Sequence, residues 1–422
     1  MKNNSYLKLS VNNWVNYLSV IFFYFLVDWI FINEYRTAYT YIPTSSIYKI
    51  ESILSVIIFS IIPIFFLPKK IDVPSSVICW LLYFFSYLPT AFIYIYFTGS
   101  IFEYLQLMII LLVSIAIFRF TILIKIRFKQ RRKINFLYLD YVFFFSFFLF
   151  LIIYLWSLSD FNIDLNPENV YKRRLAARDN YGYMGYFIAL IKSAFLVFSV
   201  YLFLIKRKIL YLSLALIGVF GIYAFDGTKT PIILFLALIF YGFLFYYISK
   251  TSPKPTTLFL SLIAACLGSW VLLVLFDSPL LIDFFVRRVF IIPGVMNGYY
   301  FDYFQFFPNI FNPPQNVSYI IGDIYFGKDY ANASTGIWMN AFARYGLFGV
   351  FFISFISGLT AIFLDSMIEK NNRLLGLLIG IMVGFTWSEQ AFATSIFSGG
   401  IFFYLILLLW ISSSTHLKKY FS

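Results

Sequence analysis

Residues 209–249 read ILYLSLALIGVFGIYAFDGTKTPIILFLALIFYGFLFYYIS. Two apolar runs, 209–225 and 231–249, flank the tight turn Asp226-Gly-Thr-Lys229, and the pair is bracketed by Lys206-Arg207-Lys208 and Lys250. As a helix rising about 1.5 Å per residue, each run matches the hydrocarbon thickness of a bilayer. Backbone groups in lipid must find partners within their own segment, and runs this long and continuous meet that need as helices rather than as barrel strands. The stretch is therefore a transmembrane hairpin, basic at its open end.

The same pattern extends in both directions. Apolar runs predict helices at 14–32, 50–67, 75–97, 101–122, 136–158, 184–205, 209–225, 231–249, 256–276, 345–365, 374–393 and 396–414. The predicted fold class is all-α: one polytopic transmembrane domain over 1–422 with about 12 helices. Of the 422 residues 61% are hydrophobic and 12% charged, whereas a soluble domain carries roughly 25% charge. The net charge of +13 would point to nucleic acid in a soluble protein. Here the cations crowd into short loops, so the expected partner is membrane lipid and not nucleic acid. Cys79 and Cys266 both lie in apolar runs, which predicts neither a disulfide framework nor a metal site. The first run lacks a small-residue cleavage site and reads as a retained helix.

Charge asymmetry sets the expected orientation. With both termini in the cytoplasm, 19 of the 32 Lys and Arg residues fall on that side, including the run Lys125 to Lys133, and 11 fall outside. This satisfies the positive-inside rule for an inner-membrane protein. Two outer segments nevertheless collect arginine. The first is 159–183, SDFNIDLNPENVYKRRLAARDNYGY, and the second is the long stretch 277–344. Within the second, Leu280 to Phe306 is aromatic and apolar but broken by charge and by Pro293-Gly294, which reads as a helix along the membrane interface. Asn309 to Ser334, rich in Asn, Pro, Gly and Asp, reads as irregular loop.

The first segment carries Lys172-Arg173-Arg174 and Arg178; the second carries Arg287 and Arg288. Guanidinium forms planar, bidentate hydrogen bonds with phosphate or carboxylate, and on a helix Arg174 and Arg178 would share one face. Contact with anionic headgroups is the competing use. Lys229 and Arg344 add to the positive field on the same side. A general base would come from an outer carboxylate. Glu389, in Thr-Trp-Ser-Glu-Gln at the end of the eleventh helix, is the most confined by apolar neighbours, and Asp302 follows an aromatic run. Asp28 and Lys192 are intramembrane charges that solvation near a helix end would explain.

Arg174 is followed by ten residues and Gly185, and Arg287 by ten residues and Gly298. An Arg-x10-Gly element in each of two outer loops resembles the pattern of Wzy-type O-antigen polymerases. The order of helices and loops is similar too, as is Asn332-Ala-Ser-Thr-Gly-Ile-Trp-Met-Asn-Ala-Phe-Ala-Arg-Tyr-Gly-Leu-Phe-Gly at the tenth helix. The resemblance implies a GT-C-like glycosyltransferase that joins undecaprenyl-pyrophosphate-linked oligosaccharides on the periplasmic face. It implies Arg174, Arg287, Glu389 and Asp302 as catalytic residues, with Arg173, Arg178, Arg288, Lys229 and Arg344 binding substrate. It implies no metal and no cofactor, and a chain-length regulator and a flippase as partners. O-antigen ligases use a periplasmic histidine, whereas the single histidine here is His416, at the cytoplasmic end. A lipid-linked oligosaccharide flippase and a ligase are the alternatives.

Overall fold

The apolar runs fold as helices. In the computed structural model the described residues are 3–35, 50–124 (97 and 99 excepted), 138–159, 181–248, 254–277, 282–306, 313–327, 332–368 and 373–413. In chain order the helices are α1 (Trp14–Tyr35), α2 (Ser52–Phe65), α3 (Pro74–Tyr96), α4 (Ile101–Thr121), α5 (Phe144–Ser157), α6 (Met184–Lys206), α7 (Ile209–Asp226), α8 (Thr230–Tyr247) and α9 (Pro255–Phe276). There follow α10, which joins a π-helical turn Asp283–Ile291 to Ile292–Phe304, then α11 (Val317–Phe326), α12 (Ile337–Met367), α13 (Arg373–Glu389), α14 (Phe392–Ile396) and α15 (Ile401–Ser413). Each of the twelve predicted intervals contains helix, and no strand occurs among the described residues. Among the described residues eight helices are long and apolar enough to cross a membrane: α1, α3, α4, α6, α7, α8, α9 and α12.

The bundle is organised around α3, which alone among the described spans is buried along its whole length. Small residues on its neighbours allow this. A β-carbon on Gly384 of α13 would meet Leu81 at 2.8 Å, and one on Gly294 of α10 would meet the Pro89 carbonyl oxygen at 2.4 Å. Both helices thus approach α3 almost to backbone contact, where packing gains from many dispersion contacts at once. Aromatic rings fill the remaining space, with Phe85 set 4.8 Å from Phe385 and Phe84 4.7 Å from Phe259.

Helix α10 differs from its expected position. It runs parallel to α3 inside the bundle rather than lying along the outside. Phe290 meets Phe85, Asn297 bonds Ser86 and Thr90, and Phe301 meets Tyr94. The physical reason is the run Gly294 to Phe301, every residue of which is buried. The stretch 309–334 is not wholly irregular either, because it contains α11. Val317 and Ile321, four apart, bury one face of it, and Gly327 with φ +62° ends it in a left-handed turn.

Helix α12 and the chain after α13 are interrupted. Gly346, with φ 60° and ψ −151°, breaks α12 near its start. The chain after α13 breaks twice, giving the one-and-a-half-turn α14 and then Gly400 at φ +92° before α15 begins.

Candidate functional site

Helix α13 runs parallel to α3 but stops short. Gly380 lies beside Pro74 and Val77, Gly384 beside Ile78 and Leu81, and Phe385 beside Phe85. Its last residue, Glu389, therefore falls level with the middle of α3, which continues to Tyr96. Ala391, at ψ 148°, turns the chain out of the helix, and the Trp387 indole N–H donates to Ser395 Oγ at 3.0 Å to hold the break. Glu389 is half-buried at this interruption. A carboxylate at a broken helix end inside a bundle lacks the solvation of a loop and depends on its neighbours' charges.

Those neighbours are Arg288 and Lys192, both close enough for Glu389 to feel their charge, with Arg288 the stronger influence. Lys192 sits in the π-helical turn Ile191–Phe195 within α6. Such widened turns interrupt the regular ladder and recur at functional sites. The break before α15 nests against this turn, since a β-carbon on Gly400 would lie 2.5 Å from Ser193 Cβ. Lys192 also faces Asp226, at the end of α7, as its first charge partner and Glu389 as its second. Asp226 is buried and accepts hydrogen bonds from the Thr228 N–H at 2.8 Å and the Thr228 hydroxyl at 2.6 Å.

Arg287 and Arg288 lie on the π-helical start of α10. Arg287 is committed within its own helix, its Nη2 donating to Asp283 Oδ2 at 2.7 Å. Arg288 is exposed. Arg287, the expected catalytic arginine, is thus ion-paired within its own helix, whereas Arg288, expected to bind substrate, lies within charge range of the Glu389 carboxylate.

Asp302 belongs to a different group. It sits at the far end of α10, fourteen residues beyond Arg288, a helical rise of about 21 Å. The Tyr94 hydroxyl donates to its Oδ1, and the Thr98 hydroxyl nearby donates to Glu103 Oε2 at 3.0 Å. Asp302 lies outside the eight spans, and burial pushes its carboxyl up to about 6, with the Tyr94 hydrogen bond pulling it down and Glu103 adding to the rise.

Between the two groups a polar clamp fixes the approach to α12. Asn297 Nδ2 donates to Thr90 Oγ1 at 2.8 Å, and its Oδ1 accepts from Thr335 Oγ1 at 2.6 Å. The Tyr300 hydroxyl donates to the Ala333 carbonyl at 2.9 Å. Segment 332–336, the part of the chain singled out by sequence before the tenth predicted helix, is thereby tied to α3 and α10 and laid against the end of α13. Arg344 lies apart from Glu389, donating through Nε to Asn340 Oδ1 at 3.2 Å and standing within charge range of Tyr300. Lys229 is exposed in the turn between α7 and α8.

The structure therefore groups Glu389 and Arg288 and sets Asp302, Lys229 and Arg344 apart. Arg173, Arg174 and Arg178 lie outside the described residues. Lys192 is the residue that sequence reasoning passed over. Its signal was present, because an ionisable group inside an apolar run is costly and needs a partner; what sequence could not provide was Glu389, 197 positions away. Among the described residues no three His, Cys, Asp or Glu side chains are placed to hold a metal. Chemically, the Glu389 group can accept a proton while two cations stabilise an anion beside it. No protein-family model, no curated protein and no solved structure matches the chain.

Proposed function

We propose that the protein is a glycosyltransferase of the bacterial inner membrane, polymerising undecaprenyl-pyrophosphate-linked oligosaccharide repeat units at the periplasmic face into O-antigen or a related surface polysaccharide. The observation that carries this reading is that Arg288 and Lys192 lie within charge range of Glu389 at an interrupted helix within an apolar bundle. In the reaction, a sugar hydroxyl on one lipid-linked unit attacks the anomeric carbon of the other chain. The bond from that carbon to the pyrophosphate oxygen breaks, and undecaprenyl pyrophosphate departs with the bonding pair. Glu389 takes the proton of the attacking hydroxyl. Arg288 and Lys192 stabilise the charge developing on the leaving group, with Arg174 of the first arginine segment holding a carrier pyrophosphate. On this reading the twelve apolar helices all cross the membrane, with both termini in the cytoplasm.

The interrupted helices favour a second reading. Transporters place charged groups at discontinuous helices partway through the bilayer, and a lipid-linked oligosaccharide flippase would use the same cations for its pyrophosphate. Deletion of the gene in a host with an intact glycan cluster, followed by electrophoresis of surface polysaccharide, separates the two. Loss of a polymerase leaves lipid A-core capped with one repeat unit. Loss of a flippase leaves bare core with units retained on the inner face. Loss of a ligase leaves bare core with finished polymer still on its carrier.

A further inference from the structure

At the end of α3 opposite Tyr94 and Asp302, the α2–α3 connection folds over the ends of α4 and α12. It borders an open cavity of about 550 Å3 lined by, among others, Lys69, Lys70, Asp72, Ser75, Arg119 and Asp365. Three cations and two acids share this space, and the acids do not neutralise the cations. Asp365 accepts hydrogen bonds from the Ser75 N–H at 2.9 Å and the Ser75 hydroxyl at 2.5 Å, so its carboxylate caps the first turn of α3 from another helix. Among the described residues none of Lys69, Lys70 and Arg119 forms an ion pair with Asp72 or Asp365. Arg119 donates through Nε to the Phe66 carbonyl at 2.8 Å, which fixes the guanidinium against the connection and leaves its Nη groups without a hydrogen bond to the described residues. Lys69, Lys70 and Asp72 are exposed at the rim.

We propose that this cavity binds a phosphate group. A guanidinium held by one nitrogen presents a planar fork that matches two phosphate oxygens, and two flexible ammonium groups can close over the remaining charge. The phosphate can come from the headgroup of an anionic phospholipid, since the cavity lies at one end of an apolar bundle, or from a soluble phosphate compound. This site is separate from the Glu389 group and does not depend on the polymerase reading.

The test uses the full-length protein in phosphatidylcholine nanodiscs. One arm titrates phosphatidylglycerol and counts retained lipid by native mass spectrometry; the other titrates inorganic phosphate by calorimetry. The variants are the combined Lys69→Gln/Lys70→Gln/Arg119→Gln and the single exposed Asp72→Asn. The proposal expects the triple variant to lose about tenfold in affinity, and Asp72→Asn, which removes the opposing charge, to bind more tightly. A response in the phosphatidylglycerol arm alone assigns the lipid source, and a response in the phosphate arm alone assigns a soluble one. If the triple variant fails to fold, Asp72→Asn decides. Affinities unchanged within twofold in both arms overturn the proposal.

Discussion

Gly336 and Ser388 touch backbone to backbone: a β-carbon on Gly336 would sit 2.7 Å from the Ser388 carbonyl oxygen. The contact joins the entry to α12 with the last turn of α13, one residue before Glu389. A carbon at that distance from a backbone oxygen overlaps it and neither side is a flexible side-chain tip, so one of the two segments must move.

Gly336→Ala is therefore expected to displace Glu389. Polymer length should fall while the protein is still inserted at normal abundance, and thermal unfolding in detergent should show a loss of about 1–3 kcal/mol, the usual cost of overpacking. A wild-type ladder from Gly336→Ala would mean that the end of α13 is not held in place by this contact.

The Asn297 clamp predicts coupling rather than simple loss. Asn297→Ala strands the Thr335 hydroxyl, whereas the Thr90 hydroxyl still donates to the Ser86 carbonyl. Leaving buried polar groups without partners costs about 1–3 kcal/mol. Thr335→Val removes that orphan, so the double variant should be less destabilised than the sum of the singles. Strict additivity in thermal unfolding would show that the clamp does not act as a unit.

Asp302 gives a pH dependence whose sign follows from its environment. Burial raises its carboxyl from 3.8 to about 6, so the folded state holds this proton more tightly than the unfolded state does. Its contribution to stability is present below 3.8 and is lost as pH rises through about 6, with no further change above. Asp302→Asn keeps an acceptor for the Tyr94 hydroxyl and removes the titration. Melting temperatures of the variant should lack this descending component across the same window. An identical pH profile in both proteins would remove Asp302 as its source.

Lys192 and Glu389 are predicted to be energetically coupled. Lys192→Met removes a charge that Glu389 feels, and Glu389→Gln removes the reciprocal one. A double-mutant cycle in thermal unfolding should give an interaction of about 0.5–3 kcal/mol, with the double variant more stable than the singles imply. A coupling of zero would place the two charges in independent surroundings.

The helical fold was legible because apolar length is a local property: each predicted interval contains helix, although the helix of the tenth begins at Ile337, eight residues before its expected start. Position within the bundle was less legible. Segment 280–306 carries enough charge near Arg287 and Arg288 to look interfacial, and only its contact with α3 through Gly294 and Asn297 reveals that it is internal. Arg287 and Arg288 look equivalent in sequence, yet the Asp283 carboxylate one turn earlier takes the first and leaves the second. The confinement of Glu389 was legible from its apolar neighbours. Its partner Lys192 was not, because their proximity depends on a π-turn in α6 meeting a break 200 residues later, and neither irregularity has a proline to announce it.

The most direct measurement is the surface-polysaccharide ladder of Glu389→Gln, at protein abundance matched to wild type. The substitution keeps the size and hydrogen-bonding capacity of the side chain and removes its ability to take a proton at the helix break. The account predicts lipid A-core carrying a single repeat unit and no longer chains. A ladder of wild-type length and intensity would contradict it.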